Sequence, residues 1–347
     1  MDPDNFNFPY TATDLTEQVN RIPNSYGLLL AMGLFSSEGV ISTTVEIHME
    51  DGILKVLPAK ERGAPGTLAG RETGKTLFFK VPHFPHRDLI LPKDIQDILI
   101  MAGRMKRPNT LADELAKRLN NIRNNHSITL EYVRMGALKG VIKEGAGAEL
   151  YNLFDEFDIT KKTVDFVLGT AGTDVIAKCE EVSDHIISNL KGEVSNGVEI
   201  QVSGSFFNKL VQHAKVEKYW VQTQQAQQIA NMERDRLGGN WGRVFDFQNI
   251  RFRENKTTFP IEVDGAMTSE AAIAAGYGHA YPTGTVNTFK TWFAPADTMA
   301  ALNAAGDEIF ISPEILDHGK GIDLWSESNP LAICQRPEVL VEVNTSN

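Results

Sequence analysis

Cysteine is almost missing from this sequence. Only Cys179 and Cys334 occur among 347 residues, and they lie far apart. A disulfide framework, a zinc site built on cysteine pairs and a redox Cys-x-x-Cys motif each need more cysteines or a closer spacing, so the sequence favours none of them. We expect both thiols to act as small buried apolar side chains.

Long apolar runs are also lacking. The longest early run, Gly27 to Phe35, is much shorter than the roughly 20 apolar residues that a membrane-spanning helix needs. The first residues, Met1 to Asp4, carry acid where a signal peptide carries base. With 42% hydrophobic and 23% charged residues, the composition is that of a soluble globular chain. We therefore expect a cytoplasmic product with no membrane contact.

An overall basic charge is absent too. The net charge is -11 at pH 7, which argues against a protein whose main task is to grip nucleic-acid phosphates. The charge is unevenly distributed: eight basic and three acidic residues lie from Lys55 to Lys93, and twelve acids and four lysines lie from Glu144 to Glu199. Such blocks indicate either two separately solvated surfaces or surfaces that attract each other between copies of the same chain.

The first eighty residues predict two projections. Residues 1–26 show no sustained periodicity and are expected to form an extended arm that needs another surface to lie on. Thr44–Met49 and Thr76–Val81 alternate like strands around a basic segment rich in glycine and proline, which predicts a long two-stranded flap. Because two strands bury too little apolar area to be stable alone, we expect the flap to lean on something else, such as a neighbouring subunit.

A long helix is the clearest element of the sequence. From Thr110 to about Lys139, apolar residues recur at steps of three and four, and Thr110 with Asp113 forms a capping-box pattern. At about 1.5 Å per residue the helix would be about 45 Å long, well above an ordinary globular helix. A hairpin is expected after it, from Gly140 to Phe157.

The second half of the chain predicts a compact α/β domain. Its expected helices span 173–190, a segment capped by Ser205 that ends at His213, and 217–237. Its expected strands span 197–202, 243–247, 250–253, 258–263, 308–311 and 338–343, and the small residues of 266–284 are expected to form a connection.

Motifs that carry chemistry are incomplete. Ala69–Thr76 resembles a phosphate-binding loop, but Ala69 stands where glycine is required and a strand is expected where the loop needs a helix. His83 and His86 lack further ligands in a supporting pattern, and Asp155–Asp158 lacks the spacing of a calcium loop. We therefore expect no catalytic, cofactor-binding or metal-binding residues.

The order of elements resembles the major capsid proteins of tailed phages with the Hong Kong 97-type fold, in particular the lambda-type head protein E family. Short local matches carry the likeness. Lys75–Lys80 resembles the return of that family's E-loop, Leu111–Leu115 through Ala137–Gly140 its spine helix, and Val198–Val202 its axial A-domain. Its closing pattern is matched by Pro295–Met299, Glu308–Ile311 and Pro337–Val341.

The resemblance implies an α+β fold divided into the parts of that family. They are an N-terminal arm (1–40), an extended E-loop (41–92), a P-domain with the spine helix and hairpin (93–172), an A-domain (173–320) and a C-terminal return to the P-domain (321–347).

The resemblance also implies a structural, non-catalytic function. The chain would self-assemble through hexamers and pentamers into an icosahedral shell around the phage genome, in the virion after assembly in the host cytoplasm. Expected partners are a separate scaffolding protein, a portal, a decoration protein and double-stranded DNA held weakly as cargo. The expected contacts between subunits join Arg62, Arg71 and Lys75 of the flap to Glu144, Glu149 and Asp155.

Two alternatives stay open at this point. A shell of the same fold can enclose protein cargo in a cell instead of a genome. An unrecognised soluble enzyme would need a polar pocket with a perturbed acid or base, and no spacing in the sequence indicates one.

Overall fold

The computed structural model describes residues 8–23, 27–49, 75–96, 99–102, 105–227, 242–263 and 265–347, and all elements named here belong to them. The α-helices are α1 (Ala12–Arg21), α2 (Leu28–Met32), α3 (Leu111–Lys139), α4 (Leu153–Glu156), α5 (Val175–Asn189), α6 (Gly204–Gln212) and α7 (Glu217–Gln227). Single 3-10 turns lie at Pro92–Asp94, Met299–Ala301, Asp317–Gly319 and Pro337–Val339.

The strands form one large sheet, two smaller ones and several separate hairpins. In the first half they are β1 (Ser36–Gly39), β2 (Thr44–Met49), β3 (Lys75–Lys80), β4 (Phe84–Ile90), β5 (Leu99–Ala102), β6 (Met105–Pro108), β7 (Val141–Lys143), β8 (Glu149–Asn152) and β9 (Lys162–Asp165). In the second half they are β10 (Gly197–Val202), β11 (Val244–Phe247), β12 (Ile250–Glu254), β13 (Thr258–Val263), β14 (Ala266–Ala271), β15 (Tyr277–Thr283), β16 (Phe289–Phe293), β17 (Phe310–Ile315), β18 (Ile322–Ser328), β19 (Pro330–Cys334) and β20 (Val341–Asn344).

The predicted long helix is confirmed as α3. Thr110 caps it: the Thr110 Oγ1 accepts a hydrogen bond from the Asp113 N–H at 3.3 Å, and the Asp113 carboxylate accepts one from the Thr110 N–H at 3.1 Å. The helix ends at Gly140, whose φ of 80° is left-handed. The Phe154 ring also occupies the space that a Cβ at this position would need, so both the backbone conformation and the packing require glycine there.

Helix α3 passes through two hydrophobic cores. Its first half joins α1, β4, β17 and β18 in a smaller core that contains Leu119 and Ile122. Its second half joins the main core, which also contains the interior of the large sheet, through Val133 and Leu138. The apolar spacing read from the sequence therefore corresponds to buried positions along the whole helix.

The large sheet has six strands in the order β11-β12-β10-β15-β20-β9. Strand β10 runs parallel to β12 and antiparallel to β15, and β20 runs parallel to β9. Helix α5 packs against β9 and β15, α6 against β12 and α7 against β11. The sheet thus joins strands from the segments 93–172, 173–320 and 321–347.

One face of this sheet carries a layer of buried polar side chains. The Arg253 guanidinium donates to the Glu199 carboxylate at 2.6 Å, and both side chains are buried. The Gln201 amide donates to the Tyr281 hydroxyl at 3.0 Å and accepts from Asn255 at 2.9 Å. Each member has a partner, which is the condition for burying such groups without a large penalty.

The N-terminal segment differs from the extended arm that we expected. Residues 12–21 form α1, which begins with a capping box between Thr11 and Asp14. Its buried side chains Leu15 and Val19 pack on the smaller core, and the Thr16 hydroxyl accepts a hydrogen bond from the Ile311 N–H at 3.0 Å. The segment therefore lies on the body of its own chain.

Two further expectations need correction, one element was not expected, and one expected helix is described only in part. Ser203, and not Ser205, caps α6, because the Ser203 hydroxyl accepts from the Phe206 N–H. The stretch 266–284 forms β14 and β15 instead of a connection, and β5–β6 is a hairpin that the sequence analysis did not identify. The predicted helix 217–237 is described as far as Gln227, and the remainder lies outside the described residues.

Candidate assembly surfaces

The root of the flap is an antiparallel ribbon with one buried face. Strand β2 pairs with β3 from Thr44 opposite Lys80 to Met49 opposite Lys75, which confirms the predicted pairing at the root. Successive side chains alternate between faces. Leu77 and Phe79 are buried, whereas Phe78 between them is 63% exposed.

The buried face of the flap root packs on its own chain. The Phe79 ring lies 5.3 Å from the Tyr151 ring and 6.0 Å from the Phe157 ring, centroid to centroid. The Tyr151 hydroxyl donates to the Lys80 carbonyl at 2.8 Å. The expectation that a neighbour supports the flap is therefore wrong for its root, which β8 and the end of α4 hold in place.

The predicted contact residues fall into two groups. Glu144 lies in the β7–β8 turn, Glu149 begins β8, and Asp155 lies in α4, so one projection carries all three acids. Glu149 and Asp155 are exposed and Glu144 is half-buried; within the described part of the chain none of them forms an ion pair. On the flap, Lys75 is the first residue of β3, and the remaining two basic residues, Arg62 and Arg71, lie outside the described residues.

A buried carboxylate fixes the segment that leads into the flap. The Glu131 side chain on α3 accepts a hydrogen bond from the Leu29 N–H at 2.8 Å. Burial raises the pKa of this carboxyl, while backbone N–H groups of α2 and the nearby Arg134 act against the rise. Arg134 itself is buried and donates to Thr291 Oγ1 at 3.1 Å and to Ser37 Oγ at 3.0 Å, so α3 holds both α2 and β1.

The histidines singled out from the sequence have structural partners. His83 Nδ1 lies 2.9 Å from the Asn329 amide oxygen, and the His86 ring lies 6.0 Å from that of His126. Among the described residues, no group of three or more His, Cys, Asp or Glu side chains is placed to hold a metal ion. The phosphate-loop-like segment lies outside the described residues up to Gly74.

Both cysteines are buried, as the sequence predicts. Burial raises the pKa of each thiol to about 12.

Within the described residues, no helix combines the length and the apolar character needed to cross a bilayer.

The residue that sequence reasoning missed is Phe78. A large apolar side chain is unusual on the solvent-exposed face of a two-stranded ribbon. The alternation of the segment 75–80 contained this information, because placing Leu77 and Phe79 inside places Phe78 outside.

Comparison with known proteins gives the family. The model of the family described as phage major capsid protein E matches residues 11–345. The chain belongs to this family. Members are structural, shell-forming proteins of the phage head, so the chain is a component of the virion.

Curated relatives match along nearly the whole chain. The chain is 32% identical over 348 residues to the major capsid protein of Pseudomonas phage KPP10, covering 97% of this chain and 96% of the relative. It is 30% identical over 351 residues to the major capsid protein of Salmonella phage Felix O1, covering 95% of each.

Solved structures share the fold. The crystal structure of a putative capsid protein of a prophage of E. coli CFT073 matches with a TM-score of 0.62 at 15% identity, covering 97% of this chain and 99% of that one. A phage-related protein of Bordetella bronchiseptica RB50 matches with a TM-score of 0.52 at 10% identity, covering 97% and 98%. The predicted α+β fold of the Hong Kong 97 type is confirmed.

Proposed function

We propose that this capsid protein closes into an icosahedral shell around a double-stranded DNA genome, through hexamers and pentamers of itself and without catalysis. The observation that carries this proposal is the flap root, which is fixed on its own chain by Phe79 while Phe78 beside it is 63% exposed. A ribbon anchored on one face, with a large apolar side chain exposed on the other, is suited to bind a second surface.

The second surface is on an adjacent subunit. The hydrogen bond from the Tyr151 hydroxyl to the Lys80 carbonyl fixes the point at which the flap leaves the body of the subunit. The basic residues Arg62, Arg71 and Lys75 belong to this flap. Glu149 and Asp155 are exposed without a basic partner in the described part of the chain, which suits them to receive those bases from another copy. Glu144 lies on the same projection.

The parts of the chain correspond to those of the fold family. The arm spans 1–40, the E-loop 41–92, the P-domain 93–172 with α3 as its spine helix, the A-domain 173–320 and the C-terminal return 321–347. The six-stranded sheet supports a close association of these parts, because β9, β10 and β20 come from three of them.

The partners follow from a head-shell role. A separate scaffolding protein guides growth in the host cytoplasm, a portal occupies one vertex, and a decoration protein strengthens the shell. The net charge of -11 supports weak contact with packaged DNA, because an acidic wall does not neutralise phosphates and does not hinder release.

The particle that the purified protein builds tests this function. We expect rings or shells of megadalton mass in negative-stain microscopy and, in particles from infected cells, DNA protected from nuclease. Shells filled with protein alone would favour a cellular compartment, and a stable monomer or dimer would overturn the proposal and reopen the question of an enzyme.

A charge-reversal pair tests the flap contact. Arg71→Glu and Glu149→Lys should each lower the shell yield, and the double variant should recover it, because the two charges are exchanged across one contact. Asp317→Lys, at an exposed acid outside the acidic projection, is the matched control. Unchanged yields for both single variants would show that this pairing is wrong.

A further inference from the structure

The connection from β9 to α5, residues 166–173, contains a strained residue. We call this connection the joint. Val167 has a φ of 43°, in the left-handed region that β-branched residues rarely adopt. Its neighbours Phe166 and Leu168 are both buried, but side chains two positions apart already share one side of an extended chain, so their burial does not require this conformation. A strained conformation persists only where surrounding contacts impose it.

Residues 345–347, which follow β20, supply such contacts. We call these residues the tail. The Thr345 hydroxyl accepts a hydrogen bond from the Leu168 N–H at 3.1 Å. The Asn347 side-chain oxygen accepts one from the Gly169 N–H at 2.9 Å. The two backbone donors that directly follow the strained residue therefore bond to side chains of the tail.

Asn347 is held by further contacts. Its side-chain amide donates to the Thr170 hydroxyl at 2.9 Å, and its carbonyl oxygen accepts from the Lys209 ammonium on α6 at 2.6 Å. The Asn347 backbone also comes so close to Gly169 that a Cβ on this glycine would lie 3.0 Å from it. The tail is therefore fitted to the joint by specific polar contacts and by shape.

One carboxylate connects the tail to the strained residue itself. Asp165, the last residue of β9, accepts hydrogen bonds from the Val167 N–H at 2.9 Å and from the Ser346 N–H at 3.2 Å. Both bonds end on the same carboxylate oxygen, so a shift of the tail changes the surroundings of the Val167 backbone directly.

The strained residue is connected in turn to the start of α5. The Val167 carbonyl accepts from the Thr170 N–H at 3.2 Å and from the Thr173 hydroxyl at 2.9 Å. Asp174 follows and caps α5, with its carboxylate accepting from the Ala177 N–H at 3.4 Å. A change in the conformation of Val167 therefore reaches the first turn of the helix.

The strand order places the tail beside this joint. Strand β20 lies between β15 and β9, and β9 is an edge strand of the large sheet. Among the described strands, β9 pairs with β20 alone. The tail continues β20 directly, and the Phe166 N–H donates to the Asn344 carbonyl at 2.9 Å. The same segment thus holds β9 in the sheet and reaches the joint.

We infer that the tail is a lock on the joint. When the tail is docked, it holds Val167 in the left-handed conformation and fixes the direction in which the chain enters α5. When the tail is undocked, Val167 relaxes to an extended conformation, and the joint and the first turn of α5 loosen together. This conformational device belongs to the single subunit and goes beyond the proposed shell function.

Hydrogen exchange tests the lock. Thr345→Val and Asn347→Ala, combined in a double tail variant, remove the side-chain acceptors of the tail. In subunits kept below their assembly concentration, residue-resolved exchange should become about tenfold faster or more at the N–H groups of Thr170 and Thr173. These two N–H groups bond to carbonyls within the joint and not to the tail, so they report the joint as a whole.

Two controls accompany this measurement. Thr163→Val makes the same hydroxyl-to-methyl change at an exposed position of β9 and should leave the exchange rates of the joint unchanged. The N–H groups of α3 near Val133, in the main core, should exchange as in the wild type and so show that the double tail variant is folded.

Position 167 gives an independent readout. Glycine adopts the left-handed conformation freely, whereas alanine keeps the steric penalty of a Cβ. With the wild-type tail, the equilibrium constant for folding of Val167→Gly should exceed that of Val167→Ala about threefold or more. In the double tail variant this advantage of glycine should disappear, because the joint can relax. Urea unfolding of the four variants measures both ratios.

Either of two results would overturn the lock. Faster exchange confined to Leu168 and Gly169 would show that the tail is only a local contact. An equal advantage of glycine with both tails would show that the joint itself imposes the conformation of Val167. Every measurement is made on the unassembled subunit, so these results leave the shell function to its own test.

Discussion

The Glu131 carboxylate on the long helix and the Leu29 backbone N–H are joined by a 2.8 Å hydrogen bond between positions 102 residues apart. The bond ties α2 to α3 and so fixes the chain just before it enters the flap. Arg134, one turn further along α3, holds β1 through Ser37. The position of the flap is thus set by a buried polar contact as well as by apolar packing.

Replacing Glu131 by alanine should destabilise the subunit by about 3 kcal/mol, because it leaves buried N–H groups without an acceptor and removes a negative charge beside buried Arg134. Urea unfolding of subunits kept below their assembly concentration measures the change. Asp317→Ala, at an exposed position, should stay within about 0.5 kcal/mol. Equal stabilities for the two variants would contradict this account.

Phe79 and Phe78 are neighbours with opposite roles. Phe79→Ala should lower the free energy of unfolding by about 3 kcal/mol, because it empties the contact with Tyr151 and Phe157. Phe78→Ala should leave the subunit as stable as the wild type and lower the shell yield instead. Unfolding curves and particle yields of both variants check this, and an assembly defect confined to Phe79→Ala would count against the role given to Phe78.

The buried pair Glu199 and Arg253 should behave as a unit. Each alanine variant leaves one charge buried without its partner and should cost about 3–5 kcal/mol. The double variant should cost less than the two single effects added together, by at least about 1 kcal/mol. A double-mutant cycle by urea unfolding measures this coupling, and strict additivity would show that the two charges do not depend on each other.

Acid should destabilise the subunit through His126. The Ser326 hydroxyl donates to the His86 carbonyl at 3.0 Å, so the 3.1 Å contact between Ser326 and His126 needs a donating Nε2–H. Burial, and to a smaller extent the neighbouring His86 and Arg123, lower the pKa of His126 to about 3. The folded state therefore keeps a neutral ring where the unfolded chain, with a histidine pKa near 6.5, takes a proton.

The sign of the effect follows from this difference. Because the unfolded state binds more protons between about pH 3 and 6.5, stability falls as the pH is lowered through that window. His126→Gln keeps a donor for Ser326 and should reduce the slope of unfolding free energy between pH 4 and 6 by about 1.4 kcal/mol per pH unit. Unfolding free energies at several pH values give the slope, and an unchanged slope would show that His126 is not the group that titrates.

Local signals explain what the sequence could predict. Helix α3 has a capping box, regular apolar spacing and a left-handed glycine within its own length, so no distant residue was needed to find it. The pairing at the flap root followed from alternation in β2 and β3 in the same way.

Distant partners explain what it could not. The apolar residues of α1 are buried by strands near Ile311, almost 300 positions away, and a ten-residue helix carries too few turns for a clear period.

The long helix has a mechanical consequence. Its two halves are embedded in different cores, and its 29 residues span about 43 Å at 1.5 Å per residue. A tilt of only about 5° therefore moves one end by roughly 4 Å relative to the other. Neighbouring subunits on a curved surface meet at slightly different angles, and the long helix converts these differences into shifts of several ångströms at the perimeter of each subunit. Surface side chains can adjust to such shifts, so neither core has to.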